Sequence, residues 1–290
     1  MKIDAKVQSI SKLKDYFFLV PDYQREYVWK PDDEVEQFLI DIENEYSPDA
    51  KEQRNYFLGS IIIVNNDRCF DVVDGQQRLT TIMLSLCVFR DLLKKETLNS
   101  AQKNYLQIIE NLLYNFDIES GETRVRLELQ YEESHDYLTA LIQEQPYNGV
   151  RSPSIERMQD AYTKILRHFQ LYAGIDELID FAKYCLTKIE LVVIESQDLS
   201  SALKIFETIN QRGAGLNAMD LVKNLLFKAT KLLDSKFYIG VNTALNRFKN
   251  DFQYNFTGWN KSSVEARQKI LLELVFDTWR INDLRLDRVK

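Results

Sequence analysis

Histidine is nearly missing. His135 and His168 are the two in 290 residues, too few and too scattered for a zinc cluster or a histidine-based metal nuclease centre. Cysteine is scarce as well: Cys69, Cys87 and Cys185 stand singly in apolar surroundings without CxxC spacing. They read as small core residues of a protein kept in a reducing compartment. No stretch approaches the roughly 20 uninterrupted apolar residues of a membrane span, and the segment MKIDAKVQSISKLKDYFFLV carries charge where a signal peptide would be apolar. The expectation is a cytoplasmic protein with no membrane contact. Glycine and proline are few, 9 and 5, and there is no internal repeat, low-complexity tract or Gly/Ser linker. Positive charge is in deficit, 37 Lys+Arg against 44 Asp+Glu, for a net charge of −7. The whole molecule therefore does not attract polyanions, and nucleic acid would need a local basic surface. Residues 261–290 carry seven basic against five acidic side chains, a balance that suits a solvated helix face.

What is present is a core: 45% of residues are hydrophobic and 12% aromatic, enough for one large domain or two smaller ones. The pattern predicts a short helix feeding a strand over 7–20, then a loop bracketed by Pro21 and Pro31, then a helix behind Asp32-Asp33-Glu34. YFLGSIIIV (56–64) and CFDVV (69–73) around Asn65-Asn66-Asp67-Arg68 form a hairpin signal. From Leu79 a helix apolar nearly all round follows, which marks a central, buried one. Residues 96–185 are mostly helical in pattern, with breaks near Ser120-Gly121, Pro146 to Gly149 and Ser152-Pro153. LVVIE (191–195) is a strand, and 200–213 is a helix with Ser200 as its cap and Gly213 as its end. Asn217 and Asp220 open a further amphipathic helix. The class is α+β: a small mixed sheet with flanking helices, plus a large mainly helical region.

Three polar segments interrupt this scheme. In FDVVDGQQRLTTI, Asp74 to Arg78 forms a strand-to-helix turn. One account is a capping box, with Asp74 as N-cap and Gln77 three residues on, worth about 0.5–2 kcal/mol. Capping leaves Gln76 unexplained, and also Arg78, whose charge opposes the macrodipole on a first turn. The other account is an anion: free backbone N–H groups, a close approach at Gly75, and a charge-assisted bond from Arg78 of about 1.5–3 kcal/mol. In PDYQREYVWK, the aromatics Tyr23, Tyr27 and Trp29 alternate with Gln24, Arg25 and Glu26. Tyr27 and Trp29 suit either stacking on bases or anchoring the loop to the domain. In FETINQRGAGLNAMD a helix ends at Asn210-Gln211-Arg212-Gly213. A C-cap accounts for Gly213 and Arg212 but not Asn210. Glu207, Asn210 and Asp220 have the oxygen ligands for a hydrated Mg²⁺, though at an unspecific spacing.

Together DYQREYVW, VVDGQQRLTTI and IFETINQRGAGLNAMDLVKNLLF resemble, over roughly residues 7–228, the ParB/sulfiredoxin-like DGQQR domain of GmrSD Type IV modification-dependent restriction enzymes. Related proteins occur in other phage-defence systems. The resemblance implies a domain that binds and hydrolyses an NTP with Mg²⁺, the DGQQR turn touching the phosphates. It assigns Asp74, Gln77 and Arg78 to catalysis, with Arg78 and Arg25 neutralising phosphate charge and Gln77 or Gln76 orienting a water. Asp74 has two candidate roles, N-cap or metal and water contact, of which the local sequence favours the cap. Gln24, Arg25, Gly75, Gln76, Asn210, Arg212 and Gly213 become the nucleotide pocket. The implied organisation is a nucleotide-binding core at 1–95, a helical insertion at 96–185, a return to the site at 186–228 and a C-terminal helical region at 229–290. Expected partners are a nucleotide, modified DNA and a nuclease domain or subunit, with an oligomer open. Nothing here supplies the histidine motif of such a nuclease. Because RINDLRLDRVK ends without turn or cap, the chain is expected to be a fragment of a longer protein or a sensor subunit. The alternatives are a non-catalytic clamp that binds nucleotide or DNA, and a sulfiredoxin-like redox enzyme. The latter is disfavoured because Cys69 lies in the strand and not in the turn.

Overall fold

The computed structural model describes residues 3–210 apart from 23, 51, 119–120, 132–134 and 173. The chain divides into two compact units, Met1–Ile209 and Asn210–Lys290. The strands are β1 (Ile3–Ser9), β2 (Phe18–Val20), β3 (Tyr56–Asn66), β4 (Cys69–Asp74), β5 (Tyr114–Asp117), β6 (Glu122–Val125), β7 (Leu127–Leu129) and β8 (Ile189–Ser196). The helices are α1 (Glu36–Glu45), α2 (Gln76–Lys94), α3 (Ser100–Leu113), α4 (His135–Ile142), α5 (Pro153–Phe169), α6 (Ile175–Lys188) and α7 (Leu199–Asn210). Six strands make one mixed sheet in the order β1-β8-β3-β4-β2-β7, while β5 and β6 pair as a separate hairpin. The fold is α+β, as the pattern implies.

The unbroken apolar run of β3 has a simple cause: both faces of the sheet are covered there. Ile61 and Ile63 enter the main core with Val72, Leu191 and Val193, together with the buried faces of α1, α2, α5 and α6. Ile62, Val64, Val73 and Ile194 point to the other side, where Ala202 and Leu203 of α7 pack on them. Helix α7 starts on Asp198, whose carboxylate accepts from the Ser201 N–H at 2.9 Å, so the cap is Asp198 and not Ser200. The expected short helix feeding a strand is present as a 3-10 turn followed by β2, but a further strand precedes it. Ile3–Ser9 is a strand paired antiparallel with β8, and only a short 3-10 turn, Ile10–Asp15, separates it from β2. Between the helices, β7 adds to β2 in parallel, so the mostly helical stretch also contributes an edge of the main sheet.

Helix α2 is buried along almost its whole length, in contact with α3, α5, α6 and β7. One of its innermost side chains is charged: Arg90 is 1% exposed. Its guanidinium donates from Nε to Asp91 Oδ1 at 2.8 Å and from Nη2 to the Leu141 carbonyl at 3.0 Å, with Nη1 on the Ile142 carbonyl. The last carbonyls of α4 are thus satisfied by a cation from another helix, at the end where the helix dipole favours one. Asp91 is held in turn by the Tyr162 hydroxyl at 2.6 Å. Arg126, also buried, treats α3 similarly, donating from Nε to the Asn111 carbonyl at 3.2 Å.

Replacing Arg90 with Met keeps volume but orphans the Ile142 carbonyl, leaves the Leu141 carbonyl only the Glu144 N–H, and leaves Asp91 only the Tyr162 hydroxyl. Unsatisfied buried groups cost about 1–3 kcal/mol each, so R90M should lose about 3 kcal/mol of unfolding free energy, read from urea denaturation. A loss below about 1 kcal/mol would show that water replaces the guanidinium.

Candidate functional site

Strand β4 becomes helix α2 through one residue. Gly75 has φ +90°, and a Cβ there would lie 2.6 Å from Ile61 Cγ2 and 3.2 Å from the Ser60 carbonyl, so both conformation and space require glycine. It is also the N-cap, and no side chain caps the helix. The expected capping box does not form. The left-handed glycine completes the turn by itself, which leaves Asp74 one residue too early, at the end of β4. The first bond of the helix runs from the Leu79 N–H to the Gly75 carbonyl. Before it come Gln76, Gln77 and Arg78, the three residues whose N–H groups a helix start leaves over.

Each of the three side chains has a different fate. Gln77 is 5% exposed and clamps the loop that precedes α1: the Val28 N–H donates to its Oε1 at 2.8 Å, and its Nε2 donates to the Glu26 carbonyl at 2.9 Å. Arg78 lies back over β3 and donates from Nη1 to the Ser60 carbonyl at 2.7 Å. Gln76 is 7% exposed, yet its amide has no hydrogen-bond partner among the described residues.

The loop of the first motif is fastened from several sides. Gln24, buried, donates from Nε2 to the Val73 carbonyl at 3.1 Å. That carbonyl belongs to the residue skipped where the β3–β4 register shifts, since Ile62 pairs with Asp74 and Ile63 with Val72. Tyr27 is 1% exposed, its N–H on Ser154 Oγ at 3.2 Å and its hydroxyl 2.9 Å from Thr81 Oγ1. Thr81 already donates its proton to the Gln77 carbonyl, so the phenol is the donor, and burial pushes its pKa up. Tyr27 is a core anchor and cannot stack on a base. Trp29 is partly buried on the main core, 6.2 Å from the Phe38 ring. Its stacking assignment gives way likewise to an anchoring one. Arg25 is exposed and close enough to Asp74 to act on its charge.

The electrostatics of the turn are mixed. Burial pushes the Asp74 carboxyl up from the usual range, against the pull of Arg78, the Gly75 N–H and Arg25. Burial also lowers the Arg78 guanidinium, which Asp74 and Tyr56 partly offset. The structure therefore brings together Gln24, Arg25, Asp74, Gly75, Gln76, Gln77 and Arg78. Arg212 and Gly213 lie outside the described residues, as does the side chain of Asn210, the residue at which α7 ends. Glu207, Asn217 and Asp220 are beyond description in the same way.

Gly59, Ser60, Thr81 and Ser154 belong to this constellation without having been singled out by sequence. Only Gly59 carried a signal, as a glycine inside a β-branched run, which marks a bulge or a close approach. Cys69 hydrogen-bonds the Asn66 carbonyl at 3.4 Å, and burial raises its thiol, the opposite of an activated nucleophile. A small, almost wholly apolar cavity lies elsewhere, among Phe38, Ile82, Phe89 and Phe181.

A carboxyl with a raised folded pKa destabilises the protein as pH rises from its unfolded value through the folded one. Asp74→Asn should therefore raise the urea midpoint at pH 7, with the gain shrinking below about pH 4, near the unfolded carboxyl pKa. Equal gains at pH 7 and pH 3 would show that the charge is not the cause.

No curated protein matches the chain. A family model described as the GmrSD restriction endonuclease N-terminal domain matches residues 7–227, well over half of the 290. The match spans all three polar segments, the Gly75 turn and the loop clamped to it. The chain belongs to the family of GmrSD restriction endonuclease N-terminal domains.

Proposed function

We propose that this domain binds the phosphate chain of a nucleoside triphosphate on the first turn of α2 and hydrolyses it, as the regulatory step of a modification-dependent restriction system. The observation that carries the reading is the start of α2 itself. A helix N-terminus that no side chain caps lies behind a left-handed glycine, with the side-chain amide of the largely buried Gln76 left without a hydrogen-bond partner among the described residues. Backbone N–H groups and the dipole favour an anion there. Arg78 on the turn and Arg25 on the facing loop supply positive charge that neither capping nor packing requires.

The roles within the site follow from what each group already does. Gln77 is committed to the loop and acts as a positioning residue, so orienting a water falls to Gln76. Asp74, released from capping, is the carboxylate at hand for a proton or a metal-bound water. Among the described residues no three Asp, Glu, His or Cys side chains gather to enclose a metal. Mg²⁺ would accordingly enter with the nucleotide, with Asp74 as the protein carboxylate nearest to it, and would supply charge neutralisation. Binding without turnover, as a clamp, is the second reading, favoured by the commitment of Gln77 and the single carboxylate of the turn. Modified DNA and a nuclease domain or subunit remain the partners that a restriction-endonuclease family suggests, and a cytoplasmic setting fits them. Among the described residues no helix is long and apolar enough to cross a membrane.

A charge-assisted bond contributes about 1.5–3 kcal/mol. Arg78→Ala should thus weaken binding of a non-hydrolysable NTP about tenfold to a hundredfold by titration calorimetry, with the protein still folded by circular dichroism; wild-type affinity would refute the site. Phosphate release from a panel of NTPs, with and without modified DNA, separates the two readings: stimulated turnover supports the sensor, and tight binding without release the clamp.

A further inference from the structure

We propose that Gly59 is a positioning residue of the anion site: its bare Cα, on a bulge of β3, seats the Arg78 guanidinium and fixes the direction in which it faces. The proposal deepens the nucleotide reading and rests on it for the identity of the ligand.

Strand β3 outlasts its partner. The last β3–β4 pair is Ile62 with Asp74, after which β4 turns away at Gly75, leaving Gly59 and Ser60 beyond the end of that ladder. On the other edge the register against β8 slips: Phe57 pairs with Glu190 and Gly59 with Leu191, so Leu58 is the extra residue of a bulge. Gly59 has φ +134°, a conformation that side-chain-bearing residues rarely adopt.

The guanidinium of Arg78 lies over this spot. A Cβ on Gly59 would meet its Cζ at 2.8 Å, Nη2 at 2.9 Å and Nε at 3.1 Å. Three atoms of one planar group thus occupy the space that any other residue would fill. The adjacent carbonyl, Ser60, takes Nη1 at 2.7 Å and sets the rotation of the plane. Of the five N–H donors of an arginine, one is used this way, and no other hydrogen bond of the Arg78 side chain occurs among the described residues.

A bulge explains a glycine with positive φ, but a bulge does not require a guanidinium stacked on it. An arginine on a first helical turn is pushed by the dipole toward other directions. The flat seat on β3 and the Ser60 carbonyl hold it at the turn, with Asp74 and Tyr56 near enough to favour its charge. The remaining donors are then presented beside the uncapped N–H groups of α2 without further ordering when an anion arrives.

The test uses the full chain as wild type, Gly59→Ala, Arg78→Ala and the double variant. The probe is inorganic tripolyphosphate, which carries the phosphates without a base. In the wild type the Arg78 Nη1–H resonance, assigned by its loss in R78A, should exchange slowly, since this group is bonded to the Ser60 carbonyl. G59A should shift or broaden that resonance and weaken tripolyphosphate binding about tenfold. In the R78A background G59A should cause no further loss. A fast-exchanging wild-type Nη1–H overturns the seat, whether or not G59A folds. A folded G59A with wild-type affinity, or one that weakens binding equally in the R78A background, overturns it as well. Absence of tripolyphosphate binding to the wild type would overturn the anion reading, a result distinct from a wild type that binds and a G59A that binds equally well.

Discussion

Helix α2 is enclosed on nearly every side, so each polar group along it must be paired, either within the helix, as the hydroxyls of Thr80, Thr81 and Ser85 are, or in another element. Where the helix runs through the core, this demand is also met by exports. The Arg90 guanidinium reaches the end of α4, and Thr81 receives the phenol of Tyr27. Where the helix begins, the demand is met differently, because a first turn leaves N–H groups that the helix cannot satisfy from within. The arrangement of the surrounding strands and loops follows from these two requirements, and the polar turn owes its character to being the one end of a sealed helix next to a shortened strand.

The two irregularities of the sheet lie on either side of that turn. One skips Val73 and offers its carbonyl to Gln24; the other inserts Leu58 and brings Gly59 beneath Arg78. Each lets a side chain of a polar motif bond to backbone that regular pairing would have used or covered. The first motif and the DGQQR turn are therefore joined through the backbone of β3 and β4 and through the amide of Gln77, more than by contacts between charged side chains. This is how an acidic protein can concentrate positive charge at one place: two arginines, one exposed and one laid on a strand, face the end of a helix dipole.

Much of this was legible in the sequence because the signals were local. The hairpin of β3 and β4, the buried character of α2 and the strand at 189–196 each follow from patterns a few residues long. The buried sheet also explains why IIIV does not alternate. What escaped depended on partners distant in the chain. The strand at residues 3–9 was not foreseen because its pairing with β8 lies almost the whole unit away. β7, three residues long, carries no pattern of its own. Asp74 looked like a cap since the sequence cannot say that Gly75 will turn in a single step. Tyr27 and Trp29 suited both stacking and anchoring, with anchoring the commoner fate of an aromatic, until the burial of Tyr27 and the packing of Trp29 beside Phe38 separated the two. The third motif ends where the described residues end, so its part in the site stays a matter of sequence.

The hold of Arg90 on the carbonyl end of α4 has an evolutionary reading. A helical segment inserted between two strands of a sheet can ordinarily be shortened or lost without disturbing what lies beneath it, since loops tolerate such change. Here loss of the segment between α2 and α5 would leave a buried charge in the last turns of the underlying helix. A shortened relative would need an apolar residue at position 90 in the same step, or carry a buried cation with two of its three hydrogen-bond partners gone. Length variation between α2 and α5 and the identity of residue 90 should then change together.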